Sequence, residues 1–98
     1  MLKKSYSKTG KICRVTFKLP ADVEAETAVL CGDFNAWNTE EYPMRKLKNG
    51  SFSVTLSLTP GKAYRFRYLL NGNRWENDWE ADAYVPNSYG EDDSVVNV

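Results

Sequence analysis

The chain has no histidine, only two cysteines and no net charge, since 13 Lys and Arg balance 13 Asp and Glu. Without histidine it lacks the side chain that most often serves as general base or zinc ligand near neutral pH. No Cys-x-x-Cys pair is present either, so neither a structural zinc nor a thiol-redox centre is expected, and no cofactor or metal is assigned. No apolar run approaches the ~18 residues needed to span a bilayer. The opening MLKKSYSKTG also lacks the apolar core of a secretion signal. A membrane partner is therefore not expected, the cytoplasm is the expected compartment, and Cys13 and Cys31 are expected to be reduced and buried as small hydrophobes. Convincing helical periodicity is missing throughout.

The balanced charge is unevenly spread. Every charge from Lys3 to Lys18 is basic and every charge from Glu76 to Asp93 is acidic. Such segments are expected to lie side by side within the fold; a nucleic-acid surface would gather basic residues away from acidic ones, so no nucleic-acid partner is assigned.

What the sequence does have is two-residue alternation. Residues 1–10 read as a polar, weakly ordered arm, and residues 11–98 as one domain, the size that supports a single core. KICRVTFKL places Cys13, Val15, Phe17 and Leu19 on one face, and Pro20 stops the run. TAVLCG reads as a short buried strand. SFSVTLSL and AYRFRYLL, joined by TPGK, read as an antiparallel hairpin with Phe66, Tyr68 and Leu70 inward and Arg65, Arg67 and Leu69 outward. Asn71-Gly72 favours a tight reversal. NTEEYPMRKL and ENDWEADAYVPNSYGEDD read as irregular, and SVVNV closes the chain as a strand; the first or last strand is expected to be an exposed edge. Several short strands separated by turn signals predict an all-β, immunoglobulin-like antiparallel β-sandwich.

Catalysis finds little support. No base stands ready beside a Ser or Cys, and the carboxylates of 76–82 and 91–93 read as solvated loop charges, so no catalytic residue is assigned and the chain is read as a non-enzyme. Aromatic residues outside the alternating runs are numerous: Trp37, Tyr42, Trp75, Trp79, Tyr84 and Tyr89. With Arg65 and Arg67 outward, and amides such as Asn35, Asn73 and Asn77, they supply what a sugar surface needs, namely rings to stack on the C–H face of a pyranose and planar donors for its hydroxyls. Spacing leaves open whether these rings face a ligand or plug the ends of the sandwich. GDFNAW (32–37) embodies the choice, a polar turn that ends in a tryptophan.

GDFNAW, followed by PGKAYRFRYLLNG with a tryptophan soon after and by the terminal NSYGEDDSVVNV, resembles the carbohydrate-binding modules of family 48, the isoamylase early-set domains. That family includes amino-terminal domains of glycogen-branching and debranching enzymes and the glycogen-binding domain of the AMP-activated protein kinase β subunit. The resemblance, spanning about Val15 to Val98, implies an immunoglobulin-like sandwich that binds α-1,4-glucan such as glycogen, starch or maltooligosaccharide. It implies that Phe34 anchors the core, Asn35 braces the turn near the sugar hydroxyls, and Trp37 and Trp75 stack on glucose. It also places Arg67 at the family's basic position and Tyr89 at its apolar wedge. Where the kinase module carries Thr and Asn beyond the late glycine, this chain has Glu91 and Asp93, which accept hydrogen bonds but cannot donate them. Asp93 is kept in the site on that basis. One extra residue separates Gly72 from Trp75. The chain reads as a stand-alone module. The alternative is a targeting subunit that docks a separate glycogen-metabolising enzyme or kinase through Trp79, Tyr84 and Tyr89.

Overall fold

The computed structural model describes residues 2–98. Among the described residues nine strands follow one another: β1 (Leu2–Tyr6), β2 (Cys13–Leu19), β3 (Ala28–Gly32), β4 (Arg45–Lys46), β5 (Phe52–Leu58), β6 (Ala63–Leu70), β7 (Arg74–Glu76), β8 (Ala83–Pro86) and β9 (Asp92–Asn97). They form two antiparallel sheets, one ordered β1-β2-β5-β4 and the other β3-β6-β9-β8, with β7 also paired to β6. The chain is an immunoglobulin-like β-sandwich.

The core follows the alternation. Cys13, Val15, Phe17 and Leu19 of β2 are all buried, as are Phe66, Tyr68 and Leu70 of β6. Phe17 meets Phe66 across the sheets edge-to-face, with ring centroids 5.0 Å apart, and Tyr68 continues the stack 5.6 Å from Phe66. Such a pairing adds ~1 kcal/mol to the area that each ring buries. Phe34 closes one end, touching Phe17, Tyr42 and Tyr64 at 5.8–6.2 Å. Both cysteines are unpaired and buried, and burial pushes the Cys31 thiol up from its ordinary value.

Three expectations need correction. Residues 2–6 are not a loose arm: β1 pairs with β2 from Leu2↔Phe17 to Tyr6↔Cys13, and Lys4 donates to Asp82 at 2.6 Å. Polar side chains hid this strand, because an edge strand can satisfy its backbone without burying both faces. Met1, also assigned to that arm, lies outside the described residues. β5 and β6 do not form a hairpin. β5 pairs with β2 and β4, whereas β6 pairs with β3, β7 and β9, so TPGK arches from one sheet to the other. The arch is held by Gly61 N donating to Val98 O at 2.7 Å and Val98 N to Lys62 O at 2.9 Å. Two strands facing one core across a sandwich show the same alternation as two strands side by side, so the pattern could not separate them. Of the two terminal strands, β1 is an edge, as expected of the first or last, and β9 lies between β6 and β8. Finally, the acidic stretch 76–93 is not wholly solvated. Asp78 is 1% exposed and accepts the Tyr68 hydroxyl at 2.7 Å, and its amide donates to Ser94 Oγ at 2.9 Å.

The Asn71-Gly72 reversal is present, with φ of 53° and 75° and Asn73 N donating to Leu70 O at 3.1 Å. That is the primed turn whose twist matches a β-hairpin.

Two predictions concern this frame. Tyr68→Phe deprives the buried Asp78 carboxylate of a donor, so denaturant unfolding should show a loss of about 1–3 kcal/mol. Burial and the Asp78 charge hold the Tyr68 hydroxyl well above the ordinary tyrosine range. Its stabilising contribution is therefore complete below about pH 10 and is lost as pH rises beyond that value, because the unfolded chain ionises first. Tyr68→Phe should accordingly flatten the alkaline limb of stability against pH. Gly32→Ala should also destabilise, by about 1–3 kcal/mol or more, because a β-carbon there would lie 2.5 Å from Arg65 O and 2.8 Å from Phe34 Cζ.

Candidate functional site

The site grows from the outer face of β6. Alternation sends Phe66, Tyr68 and Leu70 into the core, so Arg65, Arg67 and Leu69 lie on the other face of the sheet, where Leu69, expected outward, is itself buried. Three neighbouring segments rise around them: the turn after β3, the strand β7, and the β8–β9 hairpin. Together they form an open groove of about 1000 Å3.

The first wall is GDFNAW. Gly32 ends β3 packed so close to β6 that no side chain fits. Asp33–Asn35 then make one 3-10 turn, and Ala36 and Trp37 both adopt left-handed backbone, φ 54° and 60°. Each such residue costs about 1 kcal/mol, and a set of hydrogen bonds holds the pair in place. Trp37 N donates to Gly32 O at 2.9 Å. Asn35 Oδ1 accepts from Gly32 N at 3.1 Å, and Asn35 Nδ2 donates to Asn38 O at 3.3 Å. The Asp33 carboxylate accepts the Trp37 indole N–H at 3.1 Å and the Arg65 backbone N–H at 3.0 Å, which ties the ring to β6. Trp37 ends half-buried, with part of its surface lining the groove.

The second wall is Trp75 of β7, 40% exposed and directly across from Leu69 in the register. The Arg67 guanidinium lies 5.7 Å from the Trp75 ring centroid, a cation–π contact, and its Nη2 pairs with Glu91 Oε1 at 3.4 Å. Arg67 Nε is buried without a hydrogen-bond partner among the described residues.

The third wall is the β8–β9 hairpin, organised by Asn87. Its Oδ1 accepts from the backbone of Tyr89 at 2.9 Å and of Glu91 at 3.1 Å, while its Nδ2 donates to Asp93 Oδ1 at 3.1 Å. This side-chain-made turn holds Tyr89 at the tip with 89% of its surface free. Asp93 is nearly buried, and Arg65 Nη1 lies 3.7 Å from its Oδ2 and 3.4 Å from Pro86 O.

Five of the six residues expected at the site thus line one groove: Trp37, Trp75, Arg67, Tyr89 and Asp93. Asn35 does not; both ends of its amide are spent inside the turn. Of the remaining loop aromatics, Tyr42 packs against the core and Tyr84 donates its hydroxyl to Asp78 O at 2.6 Å. Trp79 stays exposed with its N–H on Glu76 Oε1 at 3.3 Å and does not line the groove. Asn77 is also engaged, by Asp92 O and Ser94 Oγ. Sequence reasoning missed Asp33 and Asn87 as organisers. Asn87 carries a usable signal, since Pro-Asn-Ser-Tyr-Gly has the composition of a side-chain-capped turn. Asp33 carries none, because its two partners come from different parts of the chain.

The groove carries two cations, Arg65 and Arg67, against three carboxylates, Asp33, Glu91 and Asp93, and all three carboxylates are already held by donors. It offers rings, acceptors and guanidinium N–H groups at its edges. Such a surface suits a neutral polyhydroxylated ligand better than an anionic one.

Comparison with known proteins agrees with this chemistry. Protein PTST homolog 2, chloroplastic, from Arabidopsis thaliana, is 39% identical over 62 residues, which is 63% of this chain and 10% of that protein. The chain therefore spans about a tenth of that relative's length. The family model of carbohydrate-binding module 48 (isoamylase N-terminal domain) matches residues 5–85, which takes in the first two walls of the groove and stops at the start of the third. The chain belongs to carbohydrate-binding module family 48.

Proposed function

We propose that this module binds α-1,4-linked glucan, whether glycogen, starch or maltooligosaccharide, by stacking glucose rings on Trp37 and Trp75, and that it does so without catalysing a reaction. The observation that carries the proposal is the convergence of both indoles on one groove, with Arg67 beside Trp75 and hydrogen-bonding groups around them. A pyranose lays its C–H face on an indole and turns its hydroxyls outward to the rim. Arg65 and Arg67 supply donors there; Glu91 and Asp93 accept from hydroxyls, as Thr or Asn would, without donating. The groove is organised before any ligand arrives, because Asp33 and Asn87 fix two of its walls, so little ordering cost remains for binding. Tyr89 adds an apolar side at one end.

The docking alternative through Trp79, Tyr84 and Tyr89 draws less support. The Tyr84 hydroxyl is engaged by the backbone, and Trp79 stands apart from the groove that Tyr89 borders.

Titration of intrinsic tryptophan fluorescence with maltoheptaose tests the reading. Saturable quenching is expected, and Trp37→Ala or Trp75→Ala should each weaken binding by about 2 kcal/mol or more, roughly thirtyfold. Tyr89→Ala should leave thermal stability unchanged, given its exposure, while lowering affinity by a smaller factor. An unchanged spectrum at saturating maltoheptaose, together with no retention on glycogen, would sink the proposal.

A further inference from the structure

The groove occupies one face of the sandwich, and the opposite face has a different chemistry that glucan binding does not use. The four strands of that sheet, LKKSY, CRVTFKL, FSVTLSL and RK, contain no acidic residue. The register places Lys3 beside Thr16 and Thr16 beside Thr55 on the outer face, with Lys18, Ser53 and Arg45 forming the neighbouring row. Every charge that these strands carry is thus positive, and the outward strand residues between the charges are hydroxylated. Lys3, Arg14 and Arg45 make no ion pair among the described residues, whereas Arg65 and Arg67 of the groove are both matched by carboxylates. At one end of the face a shallow groove of about 350 Å3 is lined by Ser5, Tyr6, Ser7, Ile12, Arg14 and Ser57, and Tyr6 and Ile12 are 54% and 49% exposed there.

We propose that this outer face docks an extended acidic segment of another protein, anchored by an apolar side chain in the Tyr6–Ile12–Arg14 groove, while the opposite face remains available to glucan. Same-side residues of an extended chain recur every ~7 Å, the repeat that separates Arg14, Thr16 and Lys18 along β2, so alternate carboxylates of such a segment meet the face in step. Hydroxyls on either side of the cations can donate or accept and so tolerate small shifts in pose. Tyr and Arg are the side chains that most often concentrate binding energy at a protein interface, and here they share a groove with an exposed Ile. A nucleic acid fits less well. Tyr6 is the one ring lining this groove, and Ser and Thr flank the cations along the strands, so successive bases would lack the run of stacking platforms that single-strand binding uses.

The probe is a synthetic peptide of about ten residues, Glu at most positions and one Phe near an end, titrated into the isotopically labelled chain and followed by amide chemical shifts. Shifts are expected at β1, β2, β4 and β5 and not around the groove of Trp37 and Trp75. Arg14→Glu with Arg45→Glu should weaken the peptide about tenfold or more and leave maltoheptaose binding unchanged. Raising salt to about 0.3 M should weaken the wild-type complex as well, which tests the electrostatics without any variant. Ile12→Ser, or Phe→Gln in the peptide, should lower affinity by a smaller factor. Saturating maltoheptaose should not displace the peptide, so failure of glucan binding and failure of this docking surface are read separately. The proposal is overturned if the peptide fails to shift these amides, shifts those of the glucan groove, or binds equally well after charge reversal. It is also overturned if an oligothymidylate or a phosphatidylserine vesicle engages the same residues more tightly than the peptide.

Discussion

The two-residue period of β6 is the constraint on which both halves of this molecule depend. Phe66, Tyr68 and Leu70 point inward and complete the aromatic stack begun by Phe17, and the same geometry forces Arg65, Arg67 and Leu69 onto the other face of the sheet. Because β6 pairs with β3, β7 and β9, its register also fixes where Cys31, Trp75 and Ser94 stand along it. A slip by one residue would put Arg67 into the core and Phe66 into water, a change the sandwich could not survive. The position of the groove is thus guaranteed by the cost of disturbing the core, and it needs no separate scaffold.

Much of this could be read from the residues. Fold class, the inward set of β2 and β6 and the Asn71-Gly72 reversal follow from local periodicity and turn chemistry, which depend only on neighbours in sequence. The resemblance singled out Trp37 and Trp75, and both line the groove. What escaped was everything decided by partners remote in sequence. β1 was hidden because its partner strand supplies the burial. The arch between β5 and β6 was mistaken for a hairpin because alternation says which face is apolar and nothing about which edge is paired. Asn35 looked like a free amide near a ligand, but its hydrogen bonds are consumed by Gly32 and Asn38.

The acidic residues show the same limit most sharply. In sequence, Asp33, Asp78, Glu91 and Asp93 look alike. In the structure Asp33 tethers an indole to a strand, Asp78 joins a buried network with Tyr68 and Ser94, and Asp93 braces a hairpin through Asn87. Glu91 stays half exposed beside Arg67. A carboxylate accepts several hydrogen bonds at once, so it makes an effective junction wherever strands from different sheets or turns converge. Three of the four are thus spent on holding turns and strands together.

The walls of the groove come from residues 33–37, 65–75 and 86–93, and its tethers are long in sequence: Asp33 and Arg65 are 32 positions apart, and the Thr16–Thr55 contact of the other sheet spans 39. Pairings of that separation form only when most of the chain has already condensed, and domains dominated by them fold in milliseconds to seconds. No fragment of the polypeptide can therefore form the groove ahead of the rest. Occupancy of the groove is thermodynamically linked to the global folding equilibrium, and a ligand held at about one hundred times its dissociation constant would deepen the native well by about 2.7 kcal/mol.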